Sequence, residues 1–103
     1  MKVFMKSSRK GYDAKGEYDP KSKTLVVFKG SRVAEFAAES KTFRGSVRVA
    51  KLWDEAVEDC IVRKDMRFNS ASTAANFVTG QSSNGLRTWK TEEGIDLRKA
   101  LQA

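Results

Sequence analysis

Histidine is absent from this chain of 103 residues, and cysteine and proline occur once each, as Cys60 and Pro20. Without histidine there is no Ser-His or Cys-His pair to activate a nucleophile. One cysteine and no histidine cannot build a Cys/His metal cage. A lone cysteine cannot close an internal disulfide either, which fits a reducing cytoplasm. The long apolar run that a membrane-spanning helix needs is missing, so no membrane partner is expected. Residues 1–6 also lack the extended apolar segment of a secretory signal. No repeat, low-complexity tract or linker divides the chain, and its length suits a single domain over 1–103. Carboxylates and lysines remain as possible acid–base groups. The expectation is a non-catalytic protein with no cofactor and no metal site.

What is present is positive charge and enough apolar matter for a modest core: the net charge is +7, with 40% hydrophobic and 10% aromatic residues. The charge is unevenly placed. Residues 1–32 hold nine Lys/Arg against Asp13, Glu17 and Asp19, a net +6, whereas 33–68 balance and 69–103 carry +1. A basic N-terminal part has two readings, a surface that meets a polyanion or lysines on an exposed sheet face that favour solubility.

Periodicity gives the elements. Val3 and Met5 alternate with Phe4, and Tyr12, Ala14 and Tyr18 keep a period of two across the following segment. Asp19-Pro20-Lys21-Ser22 reads as a turn. Thr24-Leu25-Val26-Val27-Phe28 is a β-branched, aromatic run closed by Gly30. Residues 1–30 are therefore expected as three antiparallel strands, basic on one face. Residues 31–44 allow either a ragged helical turn or an irregular crossover.

From Ser46 the period lengthens. Val49, Leu52, Trp53, Ala56 and Cys60 form a narrow apolar stripe, which predicts an amphipathic helix over 45–60 laid across the sheet. Cys60 on that stripe reads as a small buried hydrophobe. Asp54/Glu58 and Glu55/Asp59 would then be like-charged i,i+4 pairs; a divalent ion could relieve them, but their solvent-facing placement favours salt bridges to the basic sheet. Residues 61–68 read as a strand with Val62, Met66 and Phe68 on one side. Ser70 suits an N-cap and Ala71, Ala74, Ala75 and Val78 the buried stripe of a short helix that Gly80 closes. Asn84-Gly85 signals a turn, residues 86–90 a short strand, and Glu93-Gly94 a further turn. Asp96 can cap a last helix docked by Leu97 and Leu101. The fold class is α+β: a small antiparallel sheet with one amphipathic helix packed on it, a short helix and a C-terminal hairpin.

The polar segment from Gly80 to Lys90 is the best candidate for recognition. Ser82, Ser83 and Asn84 bring hydroxyl and amide groups, flanking glycines permit close backbone approach, and Arg87 and Lys90 add charge. Trp89 has two readings, a core residue or a platform that stacks on a base. Lys29, Ser31 and Arg32, at the end of the basic strands, complete the expected nucleic-acid-binding set. Tyr12 and Tyr18 beside glycines invite comparison with GIY-YIG nucleases, but their spacing is wrong and the partner motifs are missing.

The serine- and alanine-rich run Ser70-Ala71-Ser72-Thr73-Ala74-Ala75, then Gly80-Gln81-Ser82-Ser83-Asn84-Gly85, Trp89-Lys90, Gly94 and Leu97-Arg98, resembles the bacterial module catalogued as domain of unknown function 4357. The likeness is fullest over residues 45–103, and residues 1–44 resemble the region that often precedes it. Members are often fused to GIY-YIG-type nucleases or stand beside restriction–modification proteins, and a related module of restriction enzymes and adenine methylases is thought to sense DNA or its modified bases. The resemblance thus implies an accessory domain that contacts double-stranded DNA, modified DNA included. The alternative is a protein-interaction module that docks a nuclease or methylase. Leu86 departs from the pattern, which often has Trp there.

Overall fold

The computed structural model describes residues 1–34, 46–80 and 83–102, with the backbone alone for 46–50. Strands β1 (Lys2–Ser7), β2 (Tyr12–Asp19) and β3 (Thr24–Val27) follow one another as antiparallel neighbours, and β6 (Met66–Phe68) adds itself beyond β3, in the order β1-β2-β3-β6. Helix α1 spans Ser46–Ala56, and a two-stranded ribbon of β4 (Val57–Glu58) and β5 (Ile61–Val62) separates it from β6. Helices α2 (Ala71–Thr79), α3 (Gly85–Thr88) and α4 (Leu97–Gln102) complete the chain. The α+β architecture is the expected one, and so are the three N-terminal strands. The turn after β2 is held by Asp19, whose carboxylate accepts the Lys21 N–H at 2.9 Å. That bond first, then the Ser22 hydroxyl, holds the Asp19 carboxyl below its usual pKa.

Strict alternation gives the sheet two faces. Val3 and Met5 of β1, Ala14 and Tyr18 of β2, Leu25 and Val27 of β3, and Met66 and Phe68 of β6 are all buried on one of them. Helix α2 covers that face, packing on β2, β3 and β6. The expected stripe of Ala71, Ala74, Ala75 and Val78 is buried, and Phe77 is buried with it, its ring centroid 5.1 Å from that of Phe68. Both caps are in place: Ser70 Oγ accepts the Thr73 N–H at 3.0 Å, and Gly80 takes the left-handed conformation with φ 73°.

Three expectations are corrected. First, α1 stops at Ala56 and packs against α2, while α2 is the helix on the sheet. Asp59 and Cys60 both adopt positive φ (54° and 63°) and turn the chain back into β5, as a two-residue hairpin loop with two left-handed residues requires. The apolar stripe to Cys60 and the i,i+4 carboxylate pairs therefore do not form; Cys60 is half-buried in a turn, and exposed Glu58 lies 3.7 Å from Arg63. Second, residues 61–68 are two short strands with a loop between them.

Third, the C-terminal hairpin is replaced by α3 and an isolated bridge. Asn84 sits in the extended region and its side chain accepts the Leu86 N–H at 3.2 Å. It is a helix N-cap and not the first residue of a primed turn. Lys90 then pairs with Phe4 at the edge of β1 and with Asp96, and Asp96 accepts the Lys99 N–H at 2.8 Å as the expected cap of α4. Leu97 is buried, whereas Leu101 is exposed. The crossover expected for residues 31–44 lies mostly outside the described residues. Its first part, 31–34, joins the two sheets: Arg32 bridges Asp13 on one side and Ile61 on the other.

Candidate nucleic-acid interface

The face of the sheet opposite α2 is built by cross-strand register. Lys90 lies opposite Phe4 and Phe4 opposite Lys15. The register of β2 and β3 continues this line to Phe28, whose N–H donates to the Lys15 carbonyl at 2.8 Å. A row Lys90–Phe4–Lys15–Phe28 thus crosses the sheet, cation and aromatic in alternation. On one side of it runs Lys2–Glu17–Val26–Arg67, and on the other Lys6–Asp13–Arg32. Each acid in these flanking rows faces a basic neighbour, so its charge is locally offset. The central row holds no acid. All of the charged residues in the three rows are exposed, and the two phenylalanines are half-buried.

Two shallow depressions meet along the central row. One, of about 370 Å³, is lined by Lys2, Phe4, Lys15, Gly16, Phe28 and Glu92. The other, of about 310 Å³, is lined by Asp13, Lys15, Phe28, Lys29, Gly30 and Ser31. Lys15 and Phe28 belong to both. Neither Lys15 nor Lys90 makes an ion pair among the described residues, so both ammonium groups remain available to an anionic ligand. The backbone beneath them is tied down: buried Ser31 donates its hydroxyl to the Lys15 carbonyl at 3.2 Å and accepts the Lys15 N–H at 3.1 Å.

The nine expected site residues divide between this face and other work. Lys29, Arg32 and Lys90 are exposed on or beside it, Lys29 with its N–H donated to the Asp65 carboxylate at 2.8 Å. Ser31 is 5% exposed and acts through Lys15. Trp89 is fully buried and donates its Nε1–H to the Ala71 carbonyl at 3.1 Å. The stacking role is thereby withdrawn: no ring face reaches solvent, and Trp89 instead anchors the segment that carries Lys90.

Ser83 donates its N–H to Asn76 Oδ1 at 2.8 Å and shares a 2.9 Å hydroxyl bond with Thr79, so its polar groups close the end of α2. Asn84 caps α3. Ser82 lies outside the described residues. Arg87 is exposed, in a separate depression with Asp96, Arg98, Lys99 and Gln102. Leu86, half-buried, packs against the core.

The expected basic face of the N-terminal strands includes Lys2 and Lys15, but Phe4, Phe28 and Arg67 were not expected to join them there. The signal for Phe4 was present, since it stands on the opposite side of its strand from Val3 and Met5. Register, which local pattern does not give, was needed to align it with Lys15 and Phe28.

Together the fold and this face define a small α+β domain with one sheet face covered by α2 and the other, left uncovered by the described residues, lined by cations and aromatic rings. The chain matches the family described as Domain of unknown function (DUF4357) over residues 4–101, and it belongs to that family. The match takes in every residue of the central row, well beyond the C-terminal part where the motif resemblance is fullest. No curated protein and no solved structure matches the chain. Among the described residues no helix is long and apolar enough to cross a membrane, and no group of three or more Cys, Asp or Glu side chains is placed to hold a metal ion.

Proposed function

We propose that this chain is a non-catalytic DNA-binding accessory domain, working in the cytoplasm beside a nuclease or methylase in a restriction–modification setting. The open sheet face is its DNA-contacting surface. The observation that carries this reading is the acid-free row of Lys90, Phe4, Lys15 and Phe28, flanked by Lys2, Lys6, Arg32 and Arg67. Cations spread over such a surface suit phosphates, which give affinity and orientation without reading sequence. The nuclease and methylase context comes from the resemblance alone.

Fluorescence anisotropy of labelled DNA, duplex and single-stranded, with and without adenine methylation, tests the reading. Binding should weaken as salt rises, with log K falling against log salt by roughly 0.9 per phosphate neutralised on a duplex and roughly 0.7 on a single strand. Absence of binding to either form at low salt would turn attention to a protein partner. That second reading has its own support: Met1, Ile95 and Leu101 are large apolar residues left exposed. Met1 and Ile95 line a depression of about 500 Å³ together with Thr91, Ala100 and the charged Lys2, Glu92 and Glu93.

A further inference from the structure

We infer that the open sheet face takes single-stranded DNA, with one base stacked on Phe4, another on Phe28, and the intervening phosphate held by Lys15. The inference rests on the DNA-binding reading above and names the form of DNA that this face accepts. Its first ground is spacing. Phe4 lies on β1 and Phe28 directly follows β3, on either side of β2, which places them about 10 Å apart at the ordinary interstrand distance. Successive bases of a duplex strand are separated by roughly 3.4 Å along the axis, are paired at their edges and are stacked on both faces. They cannot reach two separate rings across a sheet. A single strand can splay its bases that far, and aromatic side chains on a sheet are suitable platforms for them.

The second ground is the placement of charge. Lys15 stands between the two rings in the same row, and Lys90 stands outside Phe4. A backbone running along the row would pass base, phosphate, base in step with ring, cation, ring. Of the acids on this face, Glu17 and Asp13 lie in the flanking rows opposite Lys2, Lys6 and Arg32, and Glu92 lines the first depression beside Lys2 and Phe4. The third ground is the shape of the surface. The two depressions meet at Lys15 and Phe28, and the first reaches Phe4, so each ring borders an open concavity. Ser31, bonded to both backbone polar groups of Lys15, holds the middle of the row in register.

The test compares a short oligo(dT) strand with a duplex of equal length, using anisotropy on the wild-type chain and on F4L, F28L and the double variant. Leucine keeps an apolar side chain at each site but removes the π face, and circular dichroism confirms that the variants remain folded. The wild-type chain should prefer the single strand. Each Phe→Leu change should weaken single-strand binding roughly five- to 150-fold and duplex binding far less, and Phe→Trp should restore single-strand binding.

Photocrosslinking of iodo-deoxyuridine single strands to the unmodified protein provides a readout independent of variants. Crosslinks should map to Phe4 and Phe28. Preference for the duplex, wild-type affinity in the folded double variant, or crosslinks confined to other segments would each overturn the inference. Loss of all DNA binding in K15Q/K90Q, with the leucine variants unaffected, would remove the stacking and keep the DNA reading. Failure of the wild-type chain to bind either form would remove both.

Discussion

Gly85 is buried where the first turn of α3 meets the first turn of α2, and a Cβ on it would run into the backbone of Ala71 and Ser72. Its N–H donates to Ser72 Oγ at 3.1 Å, and four residues later the Trp89 indole reaches the Ala71 carbonyl. The same close approach thus holds both Trp89 and, one residue on, Lys90. Because the obstruction is backbone, a neighbouring side chain cannot rotate to relieve it. Gly85→Ala should therefore destabilise the fold by about 2–3 kcal/mol, a fall of roughly 10–20 °C in Tm, measured by thermal unfolding. An unchanged Tm would show that α3 can shift away from α2 without loss. At this scale the sequence was ambiguous for Trp89, because a large ring with one polar atom serves a core or a stacking platform equally well. Burial and a partner for Nε1 decide it. For Ser31 and Asn84 the residue type was suggestive of recognition, yet each spends its side chain on the protein's own backbone.

Among the elements, α2 is the one that organises the core, and it was legible from end to end. Its alanines alternate at helical spacing, Ser70 offers a cap and Gly80 a left-handed stop. Ala-rich faces let a helix approach a sheet closely, which explains why this short helix lies on the sheet and the longer α1 packs beside it. Ser70→Ala removes the bond to the Thr73 N–H and should lower stability by about 1 kcal/mol. In urea the midpoint should move down with the slope unchanged; a change in slope instead would indicate that α2 unfolds separately from the sheet. The end of α1 was not legible. Cys60 continues the apolar spacing of the helix, and nothing in a helical pattern announces that Asp59 and Cys60 will both turn left-handed. Asn84-Gly85 misled for a related reason. The same pair can start a primed turn or cap a helix, and the choice is made by packing on Ala71.

For the molecule as a whole, the division of labour between the two sheet faces is the feature on which the functional reading depends. One face is apolar and closed by α2, and the other is charged and carries Phe4 and Phe28. The existence of a basic strand-rich half could be read from residues 1–32. The row could not, because Lys90 joins β1 only after the chain has passed through every other strand and three helices. A second basic group, Arg87 with Arg98 and Lys99, lies in a different depression and shares no lining residue with the first two. Of these two cationic surfaces among the described residues, DNA is assigned to the one that also bears aromatic rings. Amide chemical-shift mapping by nuclear magnetic resonance, with oligo(dT) titrated into the labelled protein, separates them directly. The largest shifts should fall on Phe4, Lys15, Phe28 and Lys90 and their strand neighbours. Shifts confined to Arg87, Arg98 and Lys99, with the open sheet face silent, would contradict that assignment.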